Sequence, residues 1–546
     1  MRKKIFWKNF AALFLLPAFV YFSGFVALTW PQIGLFSSHF YTDGGDGLQM
    51  VWNIWWVDKA VTELHTHPWH TTWLHAPHGT SLLAHTLHPL KGFLSIPVLW
   101  LFSLKQTYNI ALISSFVLSG ITAFWLARHI KLRYWAAVLA GFIFTFSNYH
   151  FMHAQGHMQL VAMEWIPLYV LCLLAWLDKP AYLRAAGMAV SLFLVILCDY
   201  YYFFFCILTT GVAVIWKCVR DRQLFMFSRK YIRTGALFAL LALPTSGVLA
   251  GSLVYLSATD PLSGVHLARE FPLCPFSLLI PGGHWRFNSW TSWYWSRLPG
   301  NINESSVHLG FAVITLLIFA FVYRKKIQRP ILGLFWTLFV FFSVLALGQR
   351  LNIFGHEITW LPMPYVILEF LIPPFRISGV PVRMVTVAIL SAGLLAAAGF
   401  EYVWTATRKS HKPWLIFLLA LMLFEFLPDF LPTTAGWYPP HVEILKKAPE
   451  GAVYDNDSYH THALYYQTIH EKPMAFGYIS REPLSTRKKN VHLRELFKSG
   501  KVDELYKTYG FRYFVVDENA AFSNKTEQAQ QLYRGHGAAL FDIGSK

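Results

Sequence analysis

Between residues 10 and 430 the chain carries apolar segments near 10–30, 108–127, 134–148, 159–177, 184–198, 200–217, 233–257, 307–323, 330–348, 383–405 and 413–430. A helix needs roughly 20 mostly apolar residues to cross the hydrocarbon core of a bilayer, where each backbone polar group must be satisfied within its own segment. The pattern predicts a polytopic α-helical membrane protein with about eleven transmembrane helices and excludes a purely soluble one. Composition agrees, since 55% of residues are hydrophobic and only 14% charged, far from the usage of soluble globular domains. The first segment follows Arg2, Lys3, Lys4 and Lys8 and ends at Leu28, Thr29, Trp30 and Pro31 without a small-residue cleavage site. It is expected to remain as an anchor.

The 46 basic residues outnumber the 29 acidic ones, and their positions decide what the excess means. Of the 31 that precede Phe430, 22 fall at the N-terminus or on the turns at 128–133, 179–184, 217–233, 324–329 and 408–412. These positions share one side when the segments alternate, which is the bias that orients membrane proteins. The charge therefore places the N-terminus in the cytosol and gives no support to a nucleic-acid partner. The same orientation puts the long loops 31–107, 258–306 and 349–382 outside, together with all of the 23 histidines except His129 and His411. Residues 92–104 are apolar, short of a span and contain Pro97, and read as an interfacial or re-entrant helix. Residues 1–430 thus form the membrane domain. From 431 to 546 the composition is that of a soluble domain, with strand patterns at 451–457 and 511–517 and a helical pattern at 491–507 broken at Gly500. A small α/β domain on the outer side is expected. The five cysteines have no framework spacing, so neither a disulfide nor a zinc site is expected from them.

Chemistry concentrates in the outer loops. Asp43 and Asp46 stand three apart in DGGDG, where glycines allow close backbone approach and two carboxylates can hold a divalent cation or raise the pKa of a base. The competing reading is a turn in which Asp46 caps the following helix. That helix, with Trp52, Trp55 and Trp56, suits the membrane interface. His85 and His88 precede Lys91, a cation well placed for a lipid phosphate unless it merely snorkels. His65, His67, His70, His75 and His78 read as solvated loop. His150, His153 and His157 would share one stripe, able to bind metal or phosphate, if their helix continues past Gly156. Glu164 is an acid one turn into a span, a costly placement that usually marks function. Asp199, at the tip of a hairpin, suits a turn and a substrate contact equally. Arg376 and Arg383 flank a Pro/Gly turn, where two guanidinium groups can clamp a phosphate or pyrophosphate. No nucleotide-binding or hydrolase motif occurs.

An acidic pair after the first span, a basic clamp in the last outer loop and a C-terminal soluble domain together resemble the GT-C superfamily of membrane glycosyltransferases. The stretches that carry the resemblance are DGGDG at 43–47, LHPLKG at 87–92, NYHFMHAQGHMQL at 148–160 and RISGVPVR at 376–383; YYQTIHEKPMAFGYISR at 465–481 is similar to YfhO-type membrane proteins. The resemblance implies an enzyme of the bacterial inner membrane, working on its outer face. It would move a sugar from a polyprenyl-phosphate donor to a lipid, polysaccharide or protein acceptor with inversion. Asp46, with Asp43 as alternate, would activate the acceptor hydroxyl, while Lys91, Arg376 and Arg383 hold the lipid phosphate and His85, His88, His153, His157, Glu164 and Asp199 add substrate contacts. The acids are spaced D-x-x-D rather than D-x-D, which leaves dependence on Mg or Mn open. A lipid-linked saccharide transporter, a surface-polysaccharide polymerase or ligase, and a non-catalytic assembly protein are the other readings.

Overall fold

The computed structural model describes residues 7, 9–264, 266–372, 375, 379–408, 412–456, 460–519, 522 and 529–544. Among them seven helices are long and apolar enough to cross a membrane: Ala11–Thr29, Leu104–His129, Met158–Asp178, Tyr200–Asp221, Arg229–Thr259, Ile302–Val322 and Pro381–Ala406. The chain is an integral membrane protein. The four other expected spans are helical but shorter: Tyr134–Thr145, Tyr182–Ile196, Leu332–Ala346 and Lys412–Glu425. The longest of them has 15 residues, about 22 Å against a core of about 30 Å. Among the described residues, seven of the eleven expected segments are thus helices of full spanning length and the other four are shorter helices. Apolar character outruns the helices, as at Phe146 and at Leu197 and Cys198, where the backbone has already turned.

Pro381–Ala406 is the central helix. Every residue from Val385 to Gly399 is buried, and it packs against Tyr134–Thr145, Gly310–Val322 and Leu332–Ala346. Its small residues permit this closeness, for a methyl group on Gly399 would sit 2.3 Å from the backbone oxygen of Leu316. Arg383, in the first turn, is held as firmly as the helix itself.

Four helices outside the spans position the rest: α1 (Asp46–Asp58), α2 (Pro89–Leu99), α3 (Asn148–His153) and α4 (Thr461–His470). The short α2, containing Pro97, matches the segment read as too short to span. Trp52, Trp55 and Trp56 of α1 are buried against Leu74, Ala463 and Leu464. The expectation that they lie at the membrane interface is corrected, because α4 covers that face. Trp52 donates its indole N–H to Gln467 at 2.8 Å.

The loop hairpins are β1 (His70–Thr71) with β2 (Thr80–Ser81) and β3 (Arg350–Ile353) with β4 (His356–Pro362). The C-terminal sheet has the order β5 (Ala452–Asp455), β6 (Phe511–Asp517), β8 (Ala538–Asp542), β7 (Gln530–Gly535), with only β5 and β6 parallel. Alternation along β6 buries both faces. Phe514 and Val516 meet Leu493, Leu496 and Leu505, while Tyr513 and Val515 meet Leu445. Gly500 takes a left-handed φ of +76° between the helices Leu484–Lys498 and Val502–Tyr509, the break its side-chain freedom allows. The first loop docks here too: Thr80 and Thr486 join hydroxyls at 3.0 Å and His75 meets Asn490 at 3.2 Å. His75 is therefore buried rather than solvated, whereas His65, His67, His70 and His78 are exposed.

Candidate functional site

The DGGDG turn is shaped by Asp43, not by Asp46. Asp43 Oδ1 accepts the backbone N–H groups of Gly45 (3.1 Å) and Gly47 (2.9 Å), supplying the first turn of α1 with an acceptor. Asp46 is thereby free of capping and its carboxylate turns toward His157, 3.3 Å away. The expectation that Asp46 might be the cap is corrected on this geometry. Gly156 makes the approach possible, since a methyl there would stand 3.2 Å from Asp43 Oδ2 and 3.3 Å from Asp46 Cβ. Thr42 also donates its hydroxyl to the Gln155 carbonyl at 2.7 Å, docking the turn on the segment after α3.

The helix after Asn148 stops at His153, so the three-histidine stripe does not form. His150 turns into the core, stacked on Phe116 at 3.9 Å and bonded to the carbonyls of Thr145 and Val161. His153 and His157 face each other with 3.2 Å between their Nδ1 atoms. Beyond them, Glu304 Oε2 lies 3.9 Å from His153 Nε2, and Arg383 donates through Nε and Nη2 to Glu304, the shortest contact being 2.5 Å. Asp46, His157, His153, Glu304 and Arg383 thus form one continuous row. The Arg383 guanidinium also lies over the Tyr201 ring, 4.9 Å from its centre.

The row borders a cavity of about 160 Å³ lined by Asp46, His157, Arg383, Asp199, His85 and His88. Asp199 caps Tyr200–Asp221, accepting the N–H groups of Tyr201 (2.7 Å) and Tyr202 (3.2 Å). Burial pushes its carboxyl up to about 7, against the lowering influence of Arg383 and those two N–H groups. Hydrogen bonding to His157 outweighs burial at Asp46 and holds its pKa below the usual value. Asp43 goes the other way, raised by burial although the Gly47 N–H opposes it. His85, pushed down to about 3 by burial, is neutral, and its Nδ1 accepts the Ser480 N–H at 3.1 Å. Burial and the nearby Lys91 keep His88 neutral as well.

Two expected contacts lie elsewhere. Lys91 Nζ forms a buried ion pair with Glu164 at 3.0 Å and donates to the Ala111 carbonyl (3.1 Å) and the Ser114 hydroxyl (3.2 Å). Neither Lys91 nor Glu164 lines the cavity, so direct phosphate contact by this lysine is corrected. Arg376 lies outside the described residues. The cavity instead gains His266, Tyr478 and Arg481, and the row gains Glu304. Of these, Tyr478 and Arg481 fall in the stretch 465–481 noted for its resemblance; Glu304, in a four-residue helix, carried no signal.

A metal centre would also differ from the Asp43–Asp46 pair. Among the described residues, His153, His157 and Glu304 each offer a donor atom within 4.8 Å of the others. Two imidazoles and a carboxylate suit a zinc-like cation, and the buried Nε2 of His153 has no hydrogen-bond partner. The donor set fits a divalent cation.

The fold is that of GT-C membrane glycosyltransferases. The arabinofuranosyltransferase AftD from Mycobacteria superposes with a TM-score of 0.55 at 11% identity, covering 97% of this chain and 40% of that one; a mutant of AftD gives 0.57, 12%, 97% and 41%. This chain thus spans about two fifths of AftD's length. ArnT from Cupriavidus metallidurans, bound to undecaprenyl phosphate, gives 0.50 at 11% identity over 96% of this chain and 98% of its own. No curated protein matches. Residues 11–425 match a family described as a domain of unknown function, DUF6311.

Proposed function

The chain belongs to the DUF6311 family, and for this member we propose glycosyl transfer from a polyprenyl-phosphate-linked sugar to a hydroxyl acceptor, on the non-cytosolic face of a bacterial inner membrane. The observation that carries the reading is that Asp46 and Arg383 open on one cavity, an anionic base and a fixed cation at the two ends of one polar row.

Asp46 is ionised, held so by His157. It takes the proton of the acceptor hydroxyl as that oxygen forms its bond to the anomeric carbon. The bond from the anomeric carbon to the phosphate oxygen breaks with its electron pair on the phosphate, and Arg383 and Arg481 stabilise the added charge. One displacement inverts the anomeric centre. Glu304 aims Arg383 by its two-point contact, and Tyr201 supports the guanidinium from one face. His153, His157 and Glu304 would hold a divalent cation, which supplies further neutralisation of phosphate charge when bound.

Passage of a whole lipid-linked saccharide is less well supported. The interior acids are engaged: Glu164 with Lys91, Glu401 with Arg329 at 2.6 Å, and Glu425 with the N–H groups of Phe311 and Ala312, leaving no chain of open charges through the bilayer among the described residues. The test is transfer of labelled sugar from a panel of polyprenyl-phosphate sugars in membranes holding the wild type or Asp46→Asn. Wild-type transfer that vanishes in the variant supports the reading; equal transfer by both overturns it.

A further inference from the structure

A second cavity, of about 530 Å³, lies wholly after residue 436, beyond the residues 11–425 shared with the family. The reaction above makes no use of it. It sits where β5 and β6, the two parallel strands, end at Asp455 and Asp517, and the carboxyl ends of parallel strands are where open α/β sheets receive ligands. Its walls combine aromatic rings, Trp437, Tyr466 and Phe497, with hydrogen-bonding groups at Asn456, Asp517 and His536.

Charge narrows the ligand. Among the described residues no lysine or arginine lines this cavity, whereas Arg383 and Arg481 line the first. The Asp517 carboxylate, in a wall without lysine or arginine among the described residues, repels phosphates and uronic acids and accepts hydrogen bonds from hydroxyls. Flat aromatic rings offer apolar faces to the C–H groups of a pyranose or furanose. The combination suits a neutral saccharide.

Helix α4 links this cavity to the acidic turn. His460 and Tyr466 line the cavity, while His462, with its ring centre 5.9 and 6.4 Å from theirs, reaches back to Gly44: a methyl on Gly44 would stand 3.6 Å from His462 Nε2. Thr434, three residues before Trp437, pairs its backbone with Phe40 and donates its hydroxyl to the Thr42 carbonyl at 2.9 Å. Segments next to the second cavity therefore pack beside the DGGDG turn and the residues just before it.

We propose that the second cavity binds a neutral oligosaccharide acceptor whose growing end runs along α4 toward Asp46. This rests on the glycosyl-transfer reading for its purpose but not for the binding itself. The experiment is saturation-transfer NMR with the full-length protein in nanodiscs, using short neutral hexose and pentose oligosaccharides and their uronic-acid counterparts as probes. Neutral probes bind and acidic ones do not, and Trp437→Ala and Asp517→Asn each weaken binding roughly tenfold, the scale of one lost aromatic or polar contact. Trp437 is 64% exposed, so its removal leaves the fold intact, and Trp437→Phe restores most binding. Asp46→Asn binds like the wild type. Absence of neutral-glycan binding, preference for the acidic probes, or indifference to both substitutions overturns the proposal. Binding that persists while Asp46→Asn retains full transfer overturns the reaction and leaves this site standing.

Discussion

His157 Nε2 lies 3.3 Å from Asp46 Oδ2, while the neighbouring carboxylate of Asp43 is engaged with the N–H groups of its own turn. Two acids three residues apart thus have different surroundings: Asp46 faces His157 and the cavity, and Asp43 shapes the turn. Asp46→Asn is expected to lower sugar transfer by about 100-fold or more, the scale of a lost general base, with a melting temperature lowered only by the loss of its ionic contact to His157. Asp43→Asn, which keeps a carbonyl for the turn, loses far less activity, and Asp43→Ala lowers the melting temperature. Initial rates and differential scanning fluorimetry on the three variants check the division.

Arg383 is aimed by Glu304 through two donor atoms. Replacing it with lysine keeps the charge but loses the planar fork. Arg383→Lys is expected to raise the KM for the lipid donor roughly tenfold, and Glu304→Gln to raise it by less. Donor-dependent kinetics check this; an unchanged KM in Arg383→Lys counts against the clamp.

Burial pushes the Asp199 carboxyl up to about 7. Below that pH it is neutral; above it, an anion shares the cavity with the donor phosphate. Donor affinity is expected to fall as pH rises through about 7, and Asp199→Asn to flatten that profile while still capping its helix. The same shift makes folding favour the protonated acid, so this group's contribution to stability is full below the unfolded value near 3.8 and declines as pH rises toward 7. Donor KM and unfolding midpoints measured against pH in both proteins test the sign.

The triad His153, His157 and Glu304 is expected to bind a divalent cation. Metal content measured on purified protein, and the rise in melting temperature when zinc or manganese is added after chelation, should both disappear in His153→Ala. A cation retained by that variant places the metal elsewhere.

The apolar segments announced the helices, and the polar residues that interrupt them announced much of the cavity: Asp46, His157, Asp199 and Arg383 stand in Gly/Pro turns or at helix ends, where a charge next to a membrane is conspicuous. What a single sequence cannot carry is pairing. Lys91 and Glu164 each stand out as charges in apolar surroundings, yet only the fold reveals that they neutralise each other at 3.0 Å. Glu304 and Arg481 carry no motif of their own, and Glu304 acquires its place from Arg383 and His153, 79 and 151 residues away. Four of the helices are shorter than their apolar segments because hydropathy measures where a chain is apolar, and helix length also depends on where the backbone turns.

The Lys91–Glu164 pair gives a stability prediction distinct from the catalytic ones. Removing either partner leaves a buried charge alone, costing about 3–5 kcal/mol. Lys91→Met and Glu164→Gln are each expected to lower the melting temperature more than the double variant does. A double variant less stable than both singles contradicts a simple pair.

The bond from Trp52 to Gln467 closes a separation of 415 residues. Helix α1 carries Asp46, so the stretch of chain around this residue cannot settle into its final packing until residues beyond 460 have been made and delivered to the same side of the membrane. Insertion of the spans and packing of α1 are thus separate events in time, and a ribosome that stops short leaves a membrane-embedded protein in which the cavity beside Asp46 is unfinished.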